Sequence, residues 1–311
     1  MKAFVFPGQG SQKVGMGVEL SGASAAAREV FEEVDDALGL KLSAIMAEGP
    51  EDQLTLTENA QPAIMANAIA TLRVLESEFG VKLADQASCV AGHSLGEYTA
   101  LCAAGAFDLA TTARLLKLRG SAMQAAVPVG VGAMAALLGA DIAKATALAE
   151  AAADGEVCEV ANDNDPGQVV ISGHKGAIER AVALVKEHGI KRGVLLPVSA
   201  PFHCSLMQPA ADRMKEALAE TPPAAFAVPL YANVTAGKVS DPAQEQDLLV
   251  QQVTGRVRWR ESIGAMHADG VGHFVELGGK VLSPMIRKIA GEAETTSLIT
   301  MEDLEGFASS L

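Results

Sequence analysis

The residues Gly92-His93-Ser94-Leu95-Gly96 follow the short apolar run Cys89-Val90-Ala91 and precede a segment with helical periodicity. Gly-x-Ser-x-Gly between a strand and a helix is the pattern of a nucleophile elbow, a tight turn that presents a serine hydroxyl to a cleft. The geometry needs both glycines, because a side chain at Gly92 or Gly96 would collide with the neighbouring strand or helix. A helix starting near Leu95 also directs unpaired N–H groups toward any negative charge that develops at Ser94. The chemistry expected is covalent catalysis by the serine.

A serine hydroxyl is a weak nucleophile and needs a base within hydrogen-bond reach. The histidines are His93, His174, His188, His203, His267 and His273. His93 lies inside the elbow, where its side chain should point away from that of Ser94 and position the turn. His188 closes a charged helix and reads as a solvated cation, while His174, His267 and His273 read as structural. His203 lies in Ser199-Ala200-Pro201-Phe202-His203-Cys204-Ser205-Leu206-Met207, after a strand and before a helix, and is the candidate base. No carboxylate offers itself as a third member, since Asp212 and Glu216 read as helix surface. Arg119, on an expected helix just before the rhythm of the elements changes, could face the cleft, although by residue type alone it reads as a surface cation.

The elements that must position these groups follow from periodicity. Strands are expected at Lys2–Phe6 and Ser88–Ala91, with helices at Ala23–Leu38, Gln61–Phe79, Leu95–Ala104 and Asp108–Ala126, Asp108 serving as N-cap. The pattern breaks around Leu54–Leu56. Alternating strands and helices predict a parallel sheet covered on both faces, here an α/β-hydrolase-like domain. The rhythm then changes to strand Gly132–Leu138, helix Asp141–Ala153, strands Cys158–Asn162 and Gln168–Ser172, helix Lys175–His188 and strand Gly193–Val198. Asp163-Asn164-Asp165-Pro166-Gly167 reads as a turn. That β-α-β-β-α-β order is the ferredoxin-like split motif. The expected organisation is therefore a large α/β domain of residues 1–126 and 198–311 with a small ferredoxin-like domain of residues 127–197 inserted. A cleft should lie between them. After the insertion, helices are expected at Leu206–Ala219, Gln244–Val253, Arg260–Ala268 and Lys280–Ala290, and strands at Val228–Ala232, His273–Leu277 and Thr296–Ile299.

Composition bounds the rest. The chain has 311 residues, about half of them apolar, enough for a large and a small core. A net charge of −14 without a dense basic run argues against nucleic-acid binding. No apolar stretch is long enough to cross a bilayer, and Met1–Pro7 is too short for a signal peptide. Cys89, Cys102, Cys158 and Cys204 are scattered and read as free thiols of a reducing cytoplasm. No cluster has metal-ligand spacing. A monomer is the default expectation.

Over essentially its whole length the chain resembles the malonyl-CoA:acyl carrier protein transacylases, the acyltransferases of bacterial type II fatty acid synthesis. The carrying motifs are Phe6-Pro7-Gly8-Gln9-Gly10-Ser11-Gln12, Gly92-His93-Ser94-Leu95-Gly96-Glu97, Arg119-Gly120 with Met123-Gln124, and Asn162 with Gly167–Gly173. Phe202-His203 and Gln252, seven residues before Trp259, complete them. The resemblance implies that Ser94 is acylated and that His203 is its base, oriented by the backbone carbonyl of Gln252 in place of an acid. It implies an oxyanion hole from the N–H groups of Leu95 and Gln9. Arg119 would hold the free carboxylate of a malonyl group, and Met123, Phe202 and Asn162 would contact substrate. Leu95 and Phe202 resemble malonyl-selecting members, whereas methylmalonyl-selecting ones often carry Gln and Ser there. The implied reaction is ping-pong, with malonyl-CoA and the phosphopantetheine thiol of a transiently bound acyl carrier protein as substrates and no permanently bound cofactor. The same motifs would serve a polyketide pathway or a malonate decarboxylase, and a serine hydrolase would share Ser94 and His203. Acyl carrier proteins are acidic, so docking on this acidic chain would need local cations: Arg256, Arg258 and Arg260, or Lys280, Arg287 and Lys288.

Overall fold

The computed structural model describes residues 1–198 and 200–311; Ser199, in the loop that carries the candidate base, lies outside the described residues. Its strands are β1 Lys2–Phe6, β2 Ala87–Gly92, β3 Gly132–Leu138, β4 Cys158–Asp165, β5 Gln168–His174, β6 Arg192–Leu195, β7 Leu230–Tyr231, β8 Lys238–Val239, β9 His273–Leu277 and β10 Glu294–Leu298. The larger sheet has the order β10-β9-β1-β2-β7-β8, parallel except where β8 pairs antiparallel with β7. Successive side chains of a strand point to opposite faces, and β1 shows the result. Phe4 and Phe6 enter one hydrophobic core with the helix Thr57–Phe79, and Ala3 and Val5 enter another with Trp259, Ile263 and Ile286. Helices thus cover both faces, which is why these strands read as continuous apolar runs.

The second sheet is wholly antiparallel, in the order β4-β5-β3-β6. The helices Ile142–Ala153 and Lys175–Leu184 pack on it around a separate core that includes Leu137, Leu148, Ile171 and Ile178. The architecture is α/β, a largely parallel sheet beside a separate antiparallel one.

Several boundaries differ from the sequence reading. The expected turn at Asp163–Gly167 is mostly strand: β4 runs to Asp165, leaving Pro166-Gly167 as the connection. Asp163 and Asp165 are buried, and cations distant in sequence neutralise them. Arg260 Nη2 lies 2.7 Å from Asp163, and Lys288 Nζ lies 2.8 Å from Asp165. The Asp163 N–H donates to Val257 O (2.9 Å) and the Val257 N–H to Ala161 O (2.8 Å), so β4 is stitched to the large sheet's side of the molecule. Residues that look like a solvated turn are held in a strand by partners no local window contains. The helix expected at Lys175–His188 ends at Leu184, and the strand expected at Gly193–Val198 ends at Leu195. The short helices Val18–Ala23, Leu42–Glu48, Glu51–Thr55, Leu83–Gln86 and Met301–Ser309 were not anticipated, being too short for a 3.6-residue period to register. Among the described residues no helix is long and apolar enough to cross a membrane.

Candidate active site

β2 delivers the chain to Gly92, and the helix Leu95–Ala103 leaves from Leu95. Between them Ser94 has φ 53° and ψ −112°, a sparsely populated conformation for a residue with a side chain. The turn is as tight as the motif requires. A Cβ on Gly92 would stand 1.8 Å from Gly96 O, and one on Gly96 would stand 2.3 Å from Phe6 O. Asn233, just past β7, holds the strained segment: its Oδ1 accepts from the Ser94 N–H (2.8 Å) and its Nδ2 donates to Gly92 O (2.7 Å).

His203 is buried and lies 2.7 Å from Ser94 Oγ through Nε2. Its Nδ1 is 2.9 Å from Gln252 O, and a carbonyl can only accept, so Nδ1 carries the proton. Nε2 is therefore left as the acceptor for the Ser94 hydroxyl. Burial, with the nearby Arg119 charge second, pushes the His203 pKa down to about 3, so the imidazole stays neutral and able to take a proton. His93 points elsewhere, with Nε2 2.8 Å from Asn164 Oδ1.

Arg119 lies on the helix Leu109–Ala125, which Asp108 caps by accepting from the Thr111 N–H. The surface-cation reading is wrong: the residue is 1% exposed. Nη1 donates to Gln61 Oε1 (2.8 Å), and Nη2 donates to Gln252 Oε1 (2.8 Å) and Ser94 Oγ (3.2 Å). Those contacts leave two of the guanidinium's five N–H donors unused, and Nε is without a partner among the described residues. No carboxylate there pairs directly with it; the face of the Tyr98 ring lies 5.7 Å from its Cζ. A buried cation with spare donors beside a nucleophile is a receptor for an anionic group.

A cavity of about 320 Å³ joins these groups, lined by Gln9, Ser94, Leu95, Arg119, Met123, Asn162, Phe202 and His203. The structure thus brings together the residues singled out from the sequence, with Gln252 directly behind them. Met123 also accepts a hydrogen bond from Gln61 Nε2 at its sulfur (3.8 Å). Leu95 is the first residue of its helix, so its N–H has no intrahelical acceptor. Burial pushes the thiols of Cys89, Cys102, Cys158 and Cys204 up to about 11, which disfavours the thiolate, and none is in a disulfide.

Of the cations offered for carrier docking, four have ion pairs within the chain. Arg256 and Arg258 pair with Glu261, and Arg260 with Asp163. Lys288 is likewise held by Asp165, whereas Lys280 and Arg287 are exposed with no ion pair among the described residues. Sequence reasoning also missed Gln61, Asn233, Glu97 and Glu245. Glu97 stood inside the elbow motif itself, and Asn233 at the end of an expected strand, where sheet-edge ligands gather. Gln61 and Glu245 carried no local signal.

A family model described as an acyl transferase domain matches residues 3–288. The malonyl CoA-acyl carrier protein transacylase of Escherichia coli is 44% identical over 297 residues, covering 95% of each chain. The crystal structure of an acyl-carrier-protein S-malonyltransferase from Bartonella henselae superposes with a TM-score of 0.97 at 53% identity, covering 99% of this chain and 98% of that one. A malonyl-transacylase solved in complex with a type II PKS acyl-carrier protein superposes with a TM-score of 0.96 at 38% identity, covering 100% and 99%.

Proposed function

The chain belongs to the acyl transferase domain family, and on that premise we propose that it moves a malonyl group from malonyl-CoA to the phosphopantetheine thiol of an acyl carrier protein. The observation that carries the reading is Arg119: buried, without a direct carboxylate partner among the described residues, holding donors unused there and 3.2 Å from Ser94 Oγ. An ordinary esterase has no use for such a cation. A malonyl thioester does, because its free carboxylate can take a bidentate pair with the guanidinium while its carbonyl meets the serine. An acetyl group would leave the buried charge unmatched.

In the proposed reaction the malonyl carboxylate binds Arg119 and displaces its long contact to Ser94. Ser94 Oγ attacks the thioester carbonyl as His203 Nε2 takes its proton, and Gln252 O supports the imidazolium through Nδ1–H. The N–H groups of Leu95 and Gln9 receive the oxyanion; one such donor contributes about 3 kcal/mol to transition-state stabilisation. The C–S bond breaks, His203 returns the proton, and coenzyme A leaves as its thiol, giving malonyl-Ser94. The carrier's phosphopantetheine thiol then gives its proton to His203 and attacks the ester, and Ser94 is regenerated. Met123, Phe202 and Asn162 shape the acyl chamber, with Phe202 restricting room for an α-methyl branch. No cofactor is permanently bound.

We read residues 127–197 as a ferredoxin-like unit inserted in an α/β-hydrolase-like domain of residues 1–126 and 198–311. Support comes from the strand order β4-β5-β3-β6 and from the separate core of that unit. The cavity walls come from both parts, with Met134, Val170 and Leu196 facing Ser94 and Arg119. The proposed setting is the cytoplasm and the working form a monomer.

The test is intact-protein mass spectrometry after mixing with malonyl-CoA, followed by addition of holo acyl carrier protein. The expected outcome is a malonyl adduct on Ser94 that moves to the carrier. Release of free malonate without carrier loading would instead establish a hydrolase.

A further inference from the structure

Two buried carboxyl groups behind the site have no role in that reaction. Glu97 is in the first turn of the elbow helix, and Glu245 is in the first turn of the helix Pro242–Thr254, seven residues before Gln252 and so on the same face. Both are fully buried. Glu97 Oε2 accepts from the Asn233 N–H and from Gln252 Nε2, each at 3.0 Å. Its other oxygen, and both oxygens of Glu245, receive no N–H or hydroxyl donor from the described residues. The two carboxyl groups lie within hydrogen-bond reach of each other. Arg119 is the cation that acts on Glu97, reached across the Gln252 amide, and Tyr98 is the further titratable side chain beside the pair.

Two ionised carboxylates cannot occupy one buried site without a cation between them. Both residues sit in the first turn of a helix, so the helix dipole does not separate them; what favours charge on Glu97 is its two donors and the nearby Arg119. Glu245 has neither donor nor cation among the described residues. We propose that Glu245 is held as the neutral acid, donating its hydroxyl to Glu97, and that this pair positions Gln252 and through it Arg119 and His203. The burial of Glu245 and the adjacent Glu97 charge both raise its pKa, in keeping with that assignment.

The consequence is an oriented amide. Because Glu97 accepts, Gln252 must turn Nε2 toward it and Oε1 toward Arg119 Nη2. The same residue supplies the carbonyl that fixes the His203 tautomer. A flipped amide would set its NH₂ against the guanidinium. Glu97 also balances the Arg119 charge at a distance, which leaves guanidinium donors for an incoming acid.

Infrared spectroscopy of the full chain with isotope-labelled glutamate tests the proton directly. The expected spectrum at neutral pH contains the carbonyl band of a buried carboxylic acid that disappears in E245Q. Its absence from the unmodified protein would overturn the proposal. The positioning role rests on the proposed malonyl transfer and is read by Ser94 acylation. E245L, which leaves Glu97 without its donor, should raise KM for malonyl-CoA about 10-fold or more, an amount set by losing a hydrogen bond to a buried charge. E245Q, whose amide can still donate, should restore it to within about 3-fold of the parent. E245Q as impaired as a folded E245L, or E245L equal to the parent, would overturn it. If E245L does not fold, E245Q and the spectrum decide. Failure of the unmodified protein to acylate at all would strike the malonyl reading and leave the spectroscopic result standing.

Discussion

Asn233 Oδ1 accepts from the Ser94 N–H at 2.8 Å, so the strained turn carrying the nucleophile is pinned by a side chain from 139 residues further along the chain. The same amide donates to Gly92 O, and the Asn233 N–H reaches Glu97. Replacement by alanine keeps the backbone N–H to Glu97 but removes the side-chain partners of the Ser94 N–H and Gly92 O, at a cost of about 1–3 kcal/mol each. Asn233→Ala is expected to lower the melting temperature and to reduce the rate of Ser94 acylation by at least about 10-fold. Denaturation curves and single-turnover mass spectrometry would check both; an unchanged acylation rate would show that the turn holds itself.

Arg119 makes three contacts with neutral groups and leaves two N–H donors unused, which in the proposed reaction hold the malonyl carboxylate. Arg119→Lys preserves the charge but not the fork, and is expected to raise KM for malonyl-CoA by about 10-fold or more. Arg119→Ala should go further and bring malonyl-CoA and acetyl-CoA toward equal use. Retained malonyl preference in that variant would place the carboxylate receptor elsewhere.

His203 has a distinct pH signature. Its imidazole is buried neutral, with a pKa pushed down to about 3, so kcat/KM for malonyl-CoA should show no acid limb near the ordinary histidine value of about 6.5. Folding stability behaves oppositely. Below about pH 6.5 the unfolded chain binds a proton that the folded chain refuses. This group's contribution to stability is therefore present above that pH and is lost as pH falls from there toward about 3. Denaturant titrations across that window, compared with His203→Gln, would isolate the effect.

Gly92 has no room for a methyl group, since a Cβ would lie 1.8 Å from Gly96 O. Gly92→Ala is expected to cost more than about 4 kcal/mol, the range reached when a substitution forces backbone apart. Soluble yield and thermal melting report it, and a well-folded Gly92→Ala protein would mean that the elbow can open.

Lys280 and Arg287 are exposed cations free of ion pairs among the described residues, whereas Arg256 and Arg258 share Glu261, Arg260 pairs with Asp163 and Lys288 with Asp165. Lys280→Glu with Arg287→Glu should raise KM for the acidic carrier protein several-fold, about 1 kcal/mol per rim charge at most. Acylation by malonyl-CoA should be unaffected. An unchanged constant for the carrier would move the docking surface away from these two residues.

The local rules written into the sequence determined the elbow, the alternation of strands and helices, and the switch to a second element rhythm between Gly132 and Leu195. Each rests on spacing within one or two turns of chain: glycines flanking Ser94, apolar periodicity, a capping aspartate at 108. His203 could be chosen among the histidines because it stood in a connection next to an expected cleft. What only the tertiary structure decided concerns charge and hydrogen bonding over long separations. Arg119 reads as a surface cation until Gln61 and Gln252 are seen to bury it, from 58 residues before and 133 after. Asp163 and Asp165 read as a solvated turn until Arg260 and Lys288 arrive to neutralise them. Glu97 and Glu245 are acidic residues with no local sign of burial, and they become a buried pair only when the elbow helix and the helix carrying Gln252 are packed together. Periodicity is a property of neighbours along the chain, whereas the state of a buried charge depends on whatever the fold brings against it.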